Sequence, residues 1–469
     1  MAAVRHLRRA WRMAPLPDVS LRGMAGVVPK VTQVDNSSDF LGNVHHRKHP
    51  GVVHLRPVCL PPELIEATKL LMAGSSMRNV EEQAKALTNY LWSRKRPTEE
   101  TELLKKARYF EQKLRGEVAP PEDLPSELDQ GKQKELEREV LTAVRKTTYH
   151  WVALNYTEEL SFLYMAARMD GMYAAVSRAF HEIEKRVPNF QPSTLLDFGS
   201  GTGTVSWAAH NIWGKTLTEY MNIDSSSAML ALAERLMKGA SQDQDLRFSG
   251  VYFRQFLPVS PKVKFDLVVS AFSLNDLPSY SERVKTIQTL WRKTNSFLVL
   301  VENGTKEGHQ MLMEARAVIL KGTDKVVHDP REPHIFAPCP HHLPCPRLSS
   351  DRPLPCNFIQ AYHPLPFRWK PQLKEERFSF LILCREAGEA NEPWPRITQP
   401  VLCRSRHVHV HLCCPDGTLQ HVCISPGNHG RDLYRCAKAS NCGDRLPVLT
   451  LEGKPDLEEQ TELGDKEQS

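Results

Sequence analysis

The chain has 469 residues, 41% hydrophobic and 25% charged, which is enough for two or three domains with sizeable cores. It contains no apolar run of the roughly eighteen residues that a membrane-spanning helix needs, so no membrane partner is expected. The net charge of +6 is compatible with a nucleic-acid partner but too small to establish one.

Residues 1–22 hold five arginines against one aspartate. Arg5, Arg8, Arg9 and Arg12 fall on one helical face, with Val4, Leu7, Trp11 and Ala14 on the other. An Arg-rich amphipathic start without acids, lacking a long apolar core, predicts a mitochondrial targeting presequence over 1–22 and a matrix location. Residues 50–187 read as an N-terminal helical domain. PPELIEATKLLMAG and VEEQAKALTNYLW repeat apolar positions at three and four. The stretch GEVAPPEDLPSELDQGK reads as a surface linker, and helical pattern resumes from Glu135 through Val187.

From Thr194 the chain alternates strand-like and helix-like runs: TLLDF, VSWAAHNIW, TEYMNID, AMLALAERLMK, FDLVVSAF, RVKTIQTLW, SFLVLVE. This predicts an α/β fold with a parallel sheet covered on both faces, over residues 188–303. LLDFGSGTG lies between the first strand and the first helix. Gly199, Gly201 and Gly203 allow a tight turn and close ligand approach. Asp197 before them, and Asp224 at the end of the next strand, fit an S-adenosylmethionine site in which Asp224 bridges the ribose hydroxyls. The fourth strand of methyltransferases acting on amino groups ends in a loop with Pro-Pro-aromatic. Here Ser270, Ala271 and Phe272 stand at its start and no such motif follows. Neither VVSAFS nor LVLVENG supplies a cysteine nucleophile, and the polarity of Asn275 and Asp276 reads as that of a surface loop. No catalytic residue is assigned.

After Val301 the pattern breaks, and residues 304–449 read as a cysteine-rich module that includes the last strands of the sheet. Strand-like FSFLILC and RHVHVHLCC and helical HGRDLYRCAKA are legible within it. All but one of the eleven cysteines lie here. Reduced thiols in a matrix protein disfavour disulfides, so clustering points to a metal. Cys339, Cys345 and Cys356 each follow a proline, and the fourth ligand would be Cys413 or Cys414. The spacing lacks the close pairs of compact zinc sites and favours a [4Fe–4S] cluster, with zinc as the alternative. His341, His342, His407, His409 and His411 are alternative ligands. His407, His409 and His411 would share one strand face and could meet phosphate instead. Three basic segments, HHRKHPG (45–51), SRKRP (93–97) and CRSRHVHVH (403–411), could contact a phosphate backbone. Residues 450–469 are acidic and read as disordered.

LLDFGSGTG, ENGTKEG, CPHHLPCP, HLCCPDG and GRDLYRCAKASNCGD together resemble the methyltransferase-like assembly factors of the mitochondrial small ribosomal subunit. The likeness extends from about residue 50 to 450. It implies a class I S-adenosylmethionine-dependent methyltransferase (Rossmann-like) sheet, and a [4Fe–4S] cluster on Cys339, Cys345, Cys356 and Cys413. It also implies a cofactor site at Asp197, Gly199, Gly201, Gly203 and Asp224. The expected function is that of an assembly factor, working as a monomer, that binds immature small-subunit rRNA and ribosomal proteins, with methyl transfer lost. The alternative is an active methyltransferase acting on a cytosine of that rRNA. A third reading adds an iron-sensing role to the cluster.

Overall fold

The computed structural model describes residues 45–115, 127–239, 245–322, 329–349, 354–385 and 394–448. The expected presequence and acidic tail lie outside these residues. The N-terminal helices are α1 (Pro62–Ala73), α2 (Val80–Ser93), α3 (Glu100–Arg115), α4 (Glu127–Thr147) and α5 (Glu158–Arg186). Proline at the first position of α1 suits a helix start, where its missing N–H has no partner to lose. Two expectations are corrected. The linker covers at most residues 116–126, which lie outside the described residues, because helix begins at Glu127. The pattern from Glu135 to Val187 is two helices, and α5 restarts where the Thr157 hydroxyl accepts from the Leu160 amide (3.3 Å). Helix α5 is buried along nearly its whole length, so it behaves as a core element rather than a surface one.

The main sheet begins at β1 (Thr194–Phe198), followed by α6 (Thr204–Trp213), β2 (Glu219–Ile223), α7 (Ser227–Lys238) and β3 (Val251–Arg254). Then come β4 (Phe265–Ala271), α8 (Tyr280–Lys293), β5 (Thr294–Asn303), α9 (Lys306–Leu320), β6 (His334–Ala337), β7 (Phe358–Tyr362) and β8 (Lys374–Cys384). The strand order is β3-β2-β1-β4-β5-β8-β6, with β7 also paired to β8. The first five strands are parallel, while β8 runs antiparallel between β5 and β6. The parallel arrangement expected over 188–303 holds for β1 to β5, the antiparallel β8 extends the sheet beyond that range, and the strand order is that of the class I methyltransferase fold. The pattern also continues beyond Val301, contrary to expectation, through α9. The Thr305 hydroxyl caps that helix by accepting from the Gly308 amide (3.1 Å). Strands β6 and β7 are too short to announce themselves by alternation.

The edge of β8 positions the cysteine segment. Strand β6 pairs with Ile382–Cys384 and β7 with Lys374–Phe378, both antiparallel. They form one edge line interrupted by an excursion, residues 338–357, opposite Ser379–Leu381. The Ser379 hydroxyl donates to the Cys356 carbonyl (2.7 Å) and holds the returning end.

A second, four-stranded sheet follows: β9 (Arg396–Ile397), β10 (Leu402–Cys403), β11 (Val408–Cys413) and β12 (Leu419–Ile424). It is covered by α10 (Pro426–His429) and α11 (Arg431–Ala439). Its core of Ile397, Val408, Val410, Leu412, Cys414 and Leu433 is separate from that of the main sheet. Glu182 of α5 joins the two. It pairs with Arg396 (2.6 Å) of β9 and with Arg178 (3.0 Å) of its own helix. Burial alone would raise this carboxyl, but Arg396, Arg178 and Arg186 hold it well below the usual carboxylate range.

Candidate functional site

Strand β1 lies centrally between β2 and β4, and its carboxyl end turns through the three glycines into α6. Gly199, Gly201 and Gly203 all have positive φ (70°, 50° and 74°), which L side chains adopt at a cost. A Cβ on Gly199 would stand 2.1 Å from the Ser273 hydroxyl, whereas one on Gly201 would meet nothing within 4 Å. The loop is thus packed on one side and open at its crest. Asp197 is fully buried and neither carboxylate oxygen accepts a hydrogen bond; the Ser200 and Ser270 hydroxyls are likewise buried without partners. Burial, with the nearby charge of Asp224, raises the Asp197 carboxyl well above its ordinary range. Asp224 accepts from the Gly201 amide (2.9 Å) and the Ser226 amide (2.8 Å), and each oxygen keeps a further lone pair. A ligand with an ammonium group and vicinal hydroxyls would complete this donor and acceptor set.

The loops after β4 and β5 are covered by helices. Phe272 has φ 59°, and the Arg168 guanidinium of α5 lies 5.5 Å from its ring centre and 5.7 Å from that of Trp92 in α2. Arg168 also binds Glu376 (2.9 Å) and Asn303 (3.2 Å). Asp276, read from sequence as surface polarity, pairs with the buried Arg94 and accepts from the Tyr156 hydroxyl (3.4 Å). Glu302, at the end of β5, accepts from the Leu274 amide (2.8 Å), and burial pushes it up to about 8, so it carries a proton at neutral pH.

The cysteine excursion closes into a cavity. Cys339, Cys345, Cys356 and Cys413 line it together, with His309, Arg347, Phe380 and Thr398. Cys339 follows β6, Cys356 precedes β7, and Cys413 ends β11, so three turns of topology bring in residues 74 positions apart. Cys414 is instead buried in the core of the second sheet, because consecutive strand residues face opposite sides. Burial pushes the Cys339 thiol up to about 11, and Cys356 and Cys413 still higher, with neighbouring thiols adding to the rise. Without a metal, those three are neutral thiols at neutral pH. No three of the four sulfurs lie within 4.8 Å of one another. The sulfurs of a zinc tetrathiolate, with Zn–S bonds of about 2.3 Å, would sit about 3.8 Å apart.

Of the surroundings of this cavity, sequence reasoning offered His341 as an alternative ligand and missed the rest. His309 of α9 lies 3.7 Å from the Cys345 sulfur, and His341 lies 3.4 Å from that of Cys413. Burial lowers both imidazoles to about 4, so both are neutral. Arg316 donates to the carbonyl of His341 (2.9 Å), Arg347 to those of Pro355 (3.2 Å) and Thr398 (3.1 Å), and Arg396 to that of Pro338 (2.9 Å). Three cations are thereby placed beside the thiols. The signal for His309 was lost with its helix; arginines at such spacings carry no motif.

The basic segments divide. The arginines of SRKRP turn inward, Arg94 pairing with Asp276 and Arg96 with Glu314 (2.6 Å), while Lys95 stays exposed. HHRKHPG packs against α11: His49 bonds the Ser440 hydroxyl (2.9 Å), while Arg47 and Lys48 stay exposed. Exposed Arg431, Arg435 and Lys438 of α11 lie beside them, and Arg404 and Arg406 lead into β11 from the β10 side, where the Cys403 thiol approaches the Lys438 carbonyl (4.0 Å).

Among known proteins, the human "Ribosome assembly protein METTL17, mitochondrial" is 57% identical over 434 residues, 92% of each chain. Two Schizosaccharomyces pombe proteins, the mitochondrial Rsm22-cox11 tandem proteins 1 and 2, are 28% identical over 234 residues, covering 42% of this chain and 30% of theirs. Of solved structures, the plantazolicin methyltransferase BpumL aligns with 49% of this chain and 89% of its own at 10% identity and a TM-score of 0.30. No helix among the described residues is long and apolar enough to cross a membrane. The family described as mitochondrial small ribosomal subunit Rsm22 matches residues 158–447, which take in the glycine loop, the thiol cavity and the second sheet, and the chain belongs to that family.

Proposed function

We propose that this protein is a mitochondrial matrix factor that assembles the small ribosomal subunit. It would act as a monomer, binding immature rRNA and ribosomal proteins, and thereby support mitochondrial translation. The observation that carries this reading is the thiol cavity at the seam between the methyltransferase sheet and a basic C-terminal sheet. Cys339, Cys345, Cys356 and Cys413 would hold a [4Fe–4S] cluster. The sequence lacks the close cysteine pairs of compact zinc sites, which favours a cubic cluster with one cysteine per iron over a single zinc ion. The surrounding Arg316, Arg347 and Arg396 would offset the negative charge of the ligated cluster. When bound, the cluster supplies cross-links between the β6–β7 excursion and the end of β11.

S-adenosylmethionine would occupy the glycine loop, with its ammonium group near Asp197 and its ribose on Asp224. Its role would be structural or regulatory rather than catalytic. Supporting this, the loops where an acceptor base would enter are covered by α2 and α5, and Asp276 and Glu302 are tied into internal bonds. The exposed face formed by Arg47, Lys48, Arg404, Arg406, Arg431 and Arg435 would contact rRNA phosphates.

Anaerobically purified protein tests the reading by its visible spectrum together with iron, sulfide and zinc analysis. Iron and sulfide in matched amounts, absent from Cys339→Ser, are expected; colourless protein holding one zinc ion would refute the cluster. Transfer of labelled methyl groups from the cofactor to small-subunit rRNA would refute the non-catalytic reading.

A further inference from the structure

We infer that the outer face of the β11–β12 hairpin is a second metal site, binding one Zn²⁺ ion through His407, His409 and Cys423. Strand β11 alternates: Val408, Val410 and Leu412 are fully buried, so the histidines between them emerge on the opposite face. In the antiparallel register His409 stands across from Cys423, and His411 across from His421. The donor atoms of His407, His409 and Cys423 all lie within 4.8 Å of one another, the one such trio of His, Cys, Asp or Glu donors among the described residues. Zinc bonds of about 2.0–2.3 Å place tetrahedral ligands roughly 3.3–3.8 Å apart, within reach of small side-chain rotations.

Imidazole and thiolate are the ligands that zinc prefers, and no acidic side chain intrudes to favour a harder cation. His421 braces the site: its Nε2 lies 3.1 Å from the His409 Nδ1, and its ring stacks on His411 with centres 4.5 Å apart. Metal-ligating imidazoles commonly have such outer partners. Cys423 is exposed, so the ion can enter from solvent. On binding, the Cys423 thiol releases its proton to solvent and the thiolate bonds the ion, with no change of oxidation state. Water fills the fourth position. This site lies on the same face of β11 as Cys413, four residues before it along the strand, and shares no ligand with the four-cysteine cavity.

The test uses the full, tag-free chain dialysed against buffered nanomolar free Zn²⁺, with zinc per chain measured by mass spectrometry. Wild-type protein is expected to hold about one zinc ion more than His409→Ala or Cys423→Ser, while Cys339→Ser keeps that increment. Substituting Co²⁺ should add a thiolate charge-transfer band that Cys423→Ser lacks. Circular dichroism of each variant confirms an intact fold. Equal zinc content in wild type and Cys423→Ser would overturn the proposal. So would weakened rRNA binding by His409→Ala with unchanged zinc, which would assign the histidines to phosphate.

Discussion

The glycine loop and the cysteine cavity differ in how their free states tolerate burial. The glycine loop holds a fully buried Asp197 carboxyl and two buried hydroxyls without partners, which costs stability until a polar ligand arrives. The cavity holds thiols whose burial simply keeps them protonated, and a neutral thiol behaves as a small apolar group. Most of the first site, Asp197 to Asp224, lies within 28 residues of one strand-loop-helix-strand unit, with Ser270 added from β4. The second needs the edge of β8, the first half of α9 and the end of β11 to be in place. Both sites thus await a ligand, but the glycine loop through a buried carboxyl and hydroxyls and the cavity through neutral thiols flanked by His341 and Arg316, whose Nδ1 and Nε are buried without partners.

The sharpest way to separate the two sites is Cys339→Ser, which should abolish bound iron and sulfide while leaving S-adenosylmethionine affinity unchanged by calorimetry. Loss of both would mean that the two sites fold as one. Glu182→Gln should come next, lowering unfolding free energy by about 3–5 kcal/mol in denaturant titrations, because three arginines lose their buried partner. It should also reduce cluster retention, since Arg396 bonds the carbonyl beside Cys339. The same carboxyl predicts a pH effect. Glu182 and Asp444 are both depressed in the folded state, so their stabilisation is present above about pH 4–4.5 and lost as pH falls below it. Melting temperature should fall steeply from pH 5 to 3, and Glu182→Gln should flatten that slope.

Asp197→Asn should weaken S-adenosylmethionine binding about tenfold or more, the value of a charge-assisted hydrogen bond, and slightly raise the melting temperature of cofactor-free protein. A drop in melting temperature without ligand would show that Asp197 already has a partner. The smallest effect is expected for Arg404→Ala combined with Arg435→Ala: the salt dependence of rRNA binding should become shallower by roughly 1–2 in log–log slope.

Much of the main sheet was legible because β1, β4 and β5 are strongly apolar and alternate with periodic helices. The glycine loop was legible because strand, turn and helix are contiguous. What escaped was long-range. The antiparallel insertion of β8 between β5 and β6 is set by pairing partners that no local pattern encodes. The SRKRP segment looked like a surface charge run, yet Arg94 and Arg96 find carboxylates 182 and 218 residues away. The proline-preceded Cys339, Cys345 and Cys356 line one cavity with Cys413, but the lining by His309 and Arg347 could be seen only after α9 and Thr398 had been placed. The helical character of α9 was itself masked by its polar first turn.

Asp444 accepts hydrogen bonds from the Val53 and His54 amides (2.8 and 2.9 Å) and from Asn441 (2.7 Å), and a Cβ on Gly51 would collide with the Arg445 carbonyl at 1.9 Å. The two extremes of the folded body are therefore mutual templates. A chain emerging amino end first holds residues 51–54 without their partner until Asp444 has appeared, so this amino-terminal segment settles only after the second sheet has been made. Truncated products, lacking the carboxylate that receives those amides, would be marked as unfinished by their own exposed backbone.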